Sequence, residues 1–279
     1  MRMTSCFECP FSPIGVRMVL GVALCLALVG GASAEPPEGS VRLRVMTYNI
    51  HHGEGTDGAV DLARIAQVIR EVRPDLVALQ EVDQRTRRTG GVDQTAELAR
   101  LTGMHGLFGP QIPFEGGKYG QAILSRTPAS DLTVHWLPGE PDRERRIAVS
   151  CQIELDDQRI TFVTTHLHHQ NASFRERQAE AINKLFANSP QPVILAGDLN
   201  VRPESSVMKI LAPHWQNGTD GVADRWTFPA TKPEAQIDFV LARPVDRWSV
   251  RETSVPPEPL ASDHRPLVVD YELKVMPEK

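Results

Sequence analysis

The sequence predicts a mixed α/β sandwich, and three observations carry that prediction. Apolar strand-like runs follow one another through the middle of the chain, which a strictly alternating β–α–β order does not produce. Only a few segments show the 3.6-residue periodicity of an amphipathic helix. The composition is that of a globular domain, with 41% hydrophobic and 23% charged residues over 279 positions. No repeat, low-complexity tract or Ser/Gly linker divides the chain, so one domain over residues 41–273 is expected, with a short linker at 35–40 and a tail at 274–279.

The first segment reads as a targeting signal. Arg2 and Arg17 precede an uncharged stretch at 18–34, apolar at its centre, that closes with Ala32-Ser33-Ala34. Basic, then apolar, then small is the order of a secretory signal peptide. A membrane anchor is the rival, since the stretch approaches the ~17–25 residues that span a bilayer. The small-residue cleavage pattern and the polar Glu35-Pro36-Pro37-Glu38-Gly39 favour removal at 1–34. That predicts a secreted or periplasmic protein without a remaining span. Removal also discards Cys6, Cys9 and Cys25, leaving Cys151 alone. No intrachain disulfide can then form, and an apolar core must hold the fold.

The elements follow in order. Residues 41–50 predict a strand with Leu43, Val45 and Thr47 on one face, broken by Asp57-Gly58. Asp61 caps a helix in which Leu62, Ile65, Ala66, Ile69 and Val72 recur at helical spacing, and Arg73-Pro74-Asp75 ends it. Residues 76–81 read as a buried strand, completing a strand–helix–strand unit. A short helix is expected at 93–101, and strands near 121–125, 131–136, 146–155 and 159–166. Asp156-Asp157 makes the turn between the last two. Residues 171–188 predict a helix turning Phe174, Gln178, Ala181, Ile182 and Leu185 inward. A buried strand at 193–196, a short helix at 204–211 and strands near 236–242, 247–252 and 266–272 complete the chain.

The polar residues stand at strand ends. Asn49, Glu81 and His166 each close an apolar run, the 193–196 run leads into Asp198 and Asn200, and Asp263-His264 precedes the last strand. Taken singly, Asp198 and Asn200 are turn formers, and His264 fits a core position. Glu81 directly after a buried run needs a cation or hydrogen bonds. Together they describe carboxylates converging on one rim of a sandwich, which a cation would relieve. Asp198 and Asn200 are two apart, so an extended backbone would point both the same way.

These segments are similar to a known family. The residues around Thr47-Tyr48-Asn49, Leu79-Gln80-Glu81-Val82, Ala122-Ile123-Leu124-Ser125-Arg126, Thr165-His166-Leu167, Gly197-Asp198-Leu199-Asn200, Gln236-Ile237-Asp238-Phe239 and Ser262-Asp263-His264-Arg265-Pro266 resemble the endonuclease/exonuclease/phosphatase superfamily. Its members include nucleases like pancreatic deoxyribonuclease, apurinic-site nucleases, sphingomyelinases and inositol polyphosphate phosphatases. The likeness covers about residues 41–273, and it is specific for the superfamily rather than for a substrate. It implies a four-layer α/β sandwich with two central mixed β-sheets flanked by helices. It also implies hydrolysis of a phosphate ester with Mg²⁺ or Mn²⁺. By the resemblance, Asn49 and Glu81 hold the metal and His166 touches the phosphate. Asp198 orients or deprotonates the attacking water beside Asn200. His264 contacts the phosphate or transfers a proton, oriented by Asp238, and Asp263 holds a second metal or supports His264.

Two positions depart from the family pattern. Gln121 stands where relatives often carry Asn, as a longer amide in reach of the phosphate, and Gln236 replaces the basic residue common before Ile-Asp. Substrate choice is less legible. Arg85, Arg87 and Arg88 form one basic group, with Arg88 the candidate phosphate contact, and Arg143, Arg145 and Arg146 form another. The rival for both groups is a solvated face. A net charge of -5 excludes a generally basic nucleic-acid coat. Aromatics at 6% show no interleaving with basic residues, so nucleic acid is the less favoured substrate class. A small or lipid-headgroup phosphodiester, hydrolysed by a monomer, is favoured.

His166-Leu167-His168-His169 invites a zinc reading, but Gln170 and Asn171 break the pattern of a metallo-β-lactamase-type site. His168 is instead expected at the rim, in reach of substrate. A secreted binding protein that has lost catalysis is the remaining rival. It should lack Glu81, Asp198 or His264, and all three are present.

Overall fold

The computed structural model describes residues 39–140, 144–155 and 158–275. The expected signal at 1–34, most of the linker, the Asp156-Asp157 turn, Arg143 and the last four residues lie outside them. Among the described residues, twelve strands form two six-stranded sheets.

Each sheet is built on one parallel pair joined by a helix. In the first, β1 (Ser40–Asn49) and β2 (Leu76–Gln84) are connected through α1 (Leu62–Val72). In the second, β7 (Gln158–His166) and β8 (Val193–Asp198) are connected through α3 (Ala172–Phe186). Antiparallel strands extend both pairs. The first sheet gains β3 (His105–Phe114), β4 (Gly117–Ser125), β11 (Trp248–Ser254) and β12 (Leu267–Lys274), in the order β11-β12-β1-β2-β4-β3. The second gains β5 (Ala129–Trp136), β6 (Ile147–Leu155), β9 (Gln216–Asn217) and β10 (Asp238–Arg243), in the order β5-β6-β7-β8-β10-β9. The helices α2 (Gln94–Thr102) and α4 (Ser206–Leu211) complete the set.

Local chemistry sets the helix ends. Asp61 accepts from the N–H groups of Ala63 and Arg64, and Arg73 in the left-handed region closes α1. Asp93, Asn171 and Ser205 cap the other helices in the same way.

Three apolar clusters produce the four layers expected from the sequence. Leu43, Val45, Ala78, Ile123, Val149, Phe162, Ala196 and Val240 pack between the sheets. Met46, Tyr48, Val77 and Leu79 face α1 and α2, with Ile65, Ile69 and Leu98 opposite. Val163, Leu195 and Leu241 face α3 and α4. No described helix is long and apolar enough to cross a membrane.

Three features differ from the sequence expectation. Gly106, Gly109, Pro110 and Pro113 argue against a strand, yet β3 forms. It is an edge strand paired only with β4 and shifts register between Pro110 and Ile112, where a missing N–H costs little. Gly109 is also required by packing, because a methyl group there would collide with Val149 of the opposite sheet. Leu185 was expected inward but is 43% exposed. The buried stripe of α3 runs Phe174, Gln178, Ile182, Phe186 in steps of four and leaves Leu185 on its flank. Finally, the two-residue strand β9 is too short to carry a periodic signal.

Candidate active site

The same alternation that packs the core delivers the site. Along β1, Leu43 and Val45 face the opposite sheet, followed at two-residue steps by Thr47 and Asn49. Along β7, Phe162 is followed by Thr164 and His166, and along β8, Ala196 is followed by Asp198. On β10, Val240 is preceded by Asp238. The inter-sheet face is therefore apolar over most of its length and polar at one rim. Strand pairing sets His166 and Asp238 directly across from Asp198 on either side.

Glu81 reaches this rim by a different device. The β2–β4 register shifts between Leu79 and Val82, and Glu81 sits inside that bulge at φ 58. A bulge re-aims a side chain, and here it brings the carboxylate to Asn49. Asn49 Nδ2 donates to Glu81 Oε1 at 3.0 Å and to Asp198 Oδ2 at 3.3 Å, so one amide joins carboxylates carried by different sheets.

His264, in the loop before β12 of the first sheet, reaches across to the second: its Nδ1 lies 2.9 Å from Asp238 Oδ2 and its Nε2 lies 3.8 Å from Asp198 Oδ2. Burial pulls the His264 proton affinity down. The Asp238 charge and hydrogen bond, with Asp198 and Asp263, outweigh that and push its pKa up to about 10. Asp198 is pushed up to about 7, by burial first and by the Asp238 charge second. His166 moves the other way. Burial, and then the charge of Arg146, hold it well below the ordinary imidazole value. The 3.5 Å contact of His166 Nε2 with Asp198 Oδ2 is thus a neutral imidazole beside a carboxyl group, not an ion pair.

Seven of the predicted residues assemble here: Asn49, Glu81, His166, Asp198, Asp238, Asp263 and His264. Asp263 is half-buried next to His264, and Ser262 Oγ fixes that loop by donating to Asn49 O at 2.7 Å.

The remaining four are placed differently. Asn200 does not continue the strand. β8 ends at Asp198, and Asn200 turns at φ 53 so that its N–H donates to Asp198 Oδ1 at 2.8 Å. Its side chain donates to Leu167 O, so the extended backbone expected to align it with Asp198 is absent. Gln121 is buried and spans the two sheets. Its Nε2 donates to Ile147 O at 3.0 Å, and its Oε1 accepts from Thr164 Oγ1 at 3.2 Å. Arg88 makes a two-point bond to the buried Asp83, at 2.7 and 2.8 Å, and lies over the Phe114 ring. His168 uses Nδ1 to accept from the N–H groups of Gln170 and Asn171, where it orders the start of α3. The departure at Gln236 also has an internal role, since its Nε2 holds Thr219 Oγ1 and Asp238 O.

Sequence reasoning missed the individual importance of Arg146, which it grouped with its neighbours as a basic run. Arg146 is 3% exposed, bonded to Glu144 and His169, and its charge acts on His166. Its position directly before β6, the strand that adjoins β7, is the signal that could have singled it out. Arg145 instead lies over Trp136, and Arg85 and Arg87 are exposed.

The donors that converge at the rim fit a divalent metal. Two carboxylates meet on one amide, and hard oxygen donors suit Mg²⁺ or Mn²⁺. Asp198, Asp238 and His264 form one group able to hold an ion, and His51, His52 and Glu81 form another.

Residues 46–264 match the family described as Endonuclease/Exonuclease/phosphatase family. The chain belongs to that family. Its members hydrolyse phosphate esters, and this chain is a hydrolase of that class. A member of the family from Beutenbergia cavernae DSM 12333 shares 28% identity at a TM-score of 0.69, over 83% of this chain and 72% of that one. A mannosyl-6-phosphatase from Bacteroides thetaiotaomicron VPI-5482 shares the fold, at 20% identity and a TM-score of 0.67, over 82% of this chain and 99% of that one. Protein cwh43 of Schizosaccharomyces pombe (strain 972 / ATCC 24843) is 26% identical over 151 residues. The match takes in 54% of this chain but only 15% of that much longer protein.

Proposed function

We propose that this hydrolase is a divalent-metal-dependent phosphodiesterase that cleaves a small or lipid-headgroup phosphodiester outside the cytoplasm. The observation that carries the reading is the convergence of Asn49, Glu81 and His264 from one sheet and its loops with His166, Asp198 and Asp238 from the other.

Asn49 and Glu81 would hold Mg²⁺ or Mn²⁺, and a metal bound there polarises the phosphoryl oxygen and offsets charge on the leaving oxygen. Asp198, with a pKa of about 7, is poised to take a proton from the attacking water near neutral pH. Its other oxygen is tied to the Asn200 N–H, which fixes its rotation. His264 stays protonated at neutral pH and presents Nε2–H toward the phosphate, while Asp238 keeps Nδ1 engaged. His166, neutral, can donate Nε2–H to a phosphoryl oxygen. Arg146 adds a buried positive charge beside it, a favourable place for an anionic ester.

The proposal extends to residues 1–34 as a cleaved signal, to a monomer, and to a secreted or periplasmic location. Nucleic acid remains the less favoured substrate, consistent with the net charge of -5. The test is hydrolysis of bis-p-nitrophenyl phosphate by the protein beginning at Glu35. It is run with Mg²⁺, with Mn²⁺, with chelator, and with p-nitrophenyl phosphate as the monoester control. Metal-dependent diester cleavage is expected. Cleavage of the monoester alone would replace this reading with a phosphatase.

A further inference from the structure

The turn that leaves β1, His51–Gly53, carries two histidines that the chemistry above does not use. Both are fastened to the same residue. His51 Nδ1 lies 3.4 Å from the backbone oxygen of Glu54, and His52 Nε2 lies 3.2 Å from the Glu54 carboxylate. An oxygen acceptor at each of those nitrogens calls for an N–H there. In a neutral imidazole the opposite nitrogen is then a bare lone pair, Nε2 in His51 and Nδ1 in His52.

His52 is 7% exposed, and its Nδ1 is buried without a hydrogen-bond partner. A buried acceptor with no donor is costly unless something else meets it. One nitrogen of each ring and one carboxylate oxygen of Glu81 lie within 4.8 Å of one another. Glu81 has a second oxygen besides the one bonded to Asn49. An imidazole with one N–H held by a carboxylate or a carbonyl, and its other nitrogen bare, is in the posture of a metal ligand.

We propose that His51 and His52 complete, with Glu81, a two-imidazole, one-carboxylate site for a first-row transition ion. The metal this chain selects is then of the Mn²⁺, Fe²⁺, Co²⁺ or Zn²⁺ type in preference to Mg²⁺. Mg²⁺ keeps oxygen ligands and several waters, whereas imidazole nitrogen favours the later divalent ions. The proposal rests on the metal-dependent reading above and specifies which metal that reading requires. Glu54 is the positioning residue, since it sets which nitrogen of each ring is left bare.

The test needs no substrate. Metal-free protein is titrated with Co²⁺ by absorption spectroscopy, and with Mn²⁺ and Mg²⁺ by calorimetry. Co²⁺ is expected to bind at least about tenfold more tightly than Mg²⁺. His51→Ala and His52→Ala are each expected to weaken Co²⁺ by about tenfold or more while leaving Mg²⁺ affinity little changed. Because His52 is buried and its variant could misfold, the Co²⁺-loaded wild type supplies an independent reading. Its NMR spectrum should contain two solvent-exchangeable, hyperfine-shifted imidazole N–H signals, one from each ring.

Absence of those signals overturns the proposal, as does wild-type Co²⁺ affinity in the folded variants. A protein that binds Co²⁺ through both histidines yet cleaves no phosphate ester would sink the functional reading and leave this one standing. A Mg²⁺-dependent esterase indifferent to His51 and His52 would do the reverse.

Discussion

Asp238 Oδ2 stands 2.9 Å from Nδ1 of His264. The two residues are brought together from the start of β10 and the loop before β12, which belong to opposite sheets. The carboxylate fixes which ring nitrogen faces Asp198 and keeps the ring charged, although the site is almost closed to solvent. Without Asp238, burial alone would drive the imidazole toward its neutral form.

The titration of His264 in metal-free protein follows from that pair. Its folded-state pKa is raised to about 10, above the ordinary value of 6.5. The stabilisation it contributes is fully present below about pH 6.5 and is lost as the pH climbs through about 10. In Asp238→Asn the His264 pKa should fall, because the largest of the effects raising it is gone. Imidazole proton–carbon correlation spectra across pH would show this directly. An unchanged titration in the variant would mean that Asp238 does not set the charge of the ring.

Removal of the acid–base groups should lower turnover sharply without unfolding the protein. Asp198→Asn and His264→Gln are each expected to lower kcat by roughly 10²–10⁴-fold, the range for general acid–base groups. Glu81→Gln should lower activity and metal affinity together. Circular dichroism and bis-p-nitrophenyl phosphate kinetics separate the cases. A folded Asp198→Asn protein with near wild-type kcat would remove Asp198 from the mechanism.

Arg88 is expected to matter to stability more than to binding. Its guanidinium engages both oxygens of Asp83, which is fully buried. Arg88→Ala leaves that carboxylate short of two charged hydrogen bonds, at a cost of about 2 kcal/mol or more. Urea denaturation should show the loss, with KM changed little. A tenfold rise in KM at unchanged stability would restore Arg88 as a phosphate contact.

Gln121 makes a parallel case between the sheets. Gln121→Leu removes one hydrogen bond from the Ile147 carbonyl, which keeps Thr165 Oγ1, and one from the Thr164 hydroxyl, which keeps Gln80 Nε2, and should cost about 1–2 kcal/mol. Activity should fall in step, since Thr164 lies two residues before His166 on the same strand face. Unaltered stability with a raised KM would mean that the amide serves the substrate after all.

The strand ends that carry the site were legible in the sequence because alternation is a local property. Once Val45 faces the core, Thr47 and Asn49 must follow it, and the same holds from Phe162 to His166. Glu81 was identified by its cost as a buried acid, but its aim depends on a bulge against β4 that period-two reasoning does not anticipate. Asn200 was misaligned for the matching reason, since its backbone leaves the extended region. Gln121, Arg88 and His168 all looked available as isolated polar side chains. Their partners, Ile147, Asp83 and the N–H groups that begin α3, become neighbours only on folding or through the local turn. His51 and His52 stood beside Asn49 in plain sight, and only the placement of Glu54 shows which ring nitrogens are left bare.

The division of the site between two layers has a mechanical consequence. Apolar packing is non-directional and would tolerate one sheet sliding over the other with most of its contact area kept. A slip of one residue along the strands, about 3.3 Å, would nevertheless pull Glu81 away from Asp198. The alignment of the layers must therefore be held by directional bonds that cross between them. Gln80 to Thr164 at 3.0 Å, Gln121 to Ile147 at 3.0 Å and Tyr271 Oη to Val240 O at 3.0 Å are such bonds. They act as locating pins, so that catalytic alignment depends on a few polar side chains in the interior that never meet the substrate.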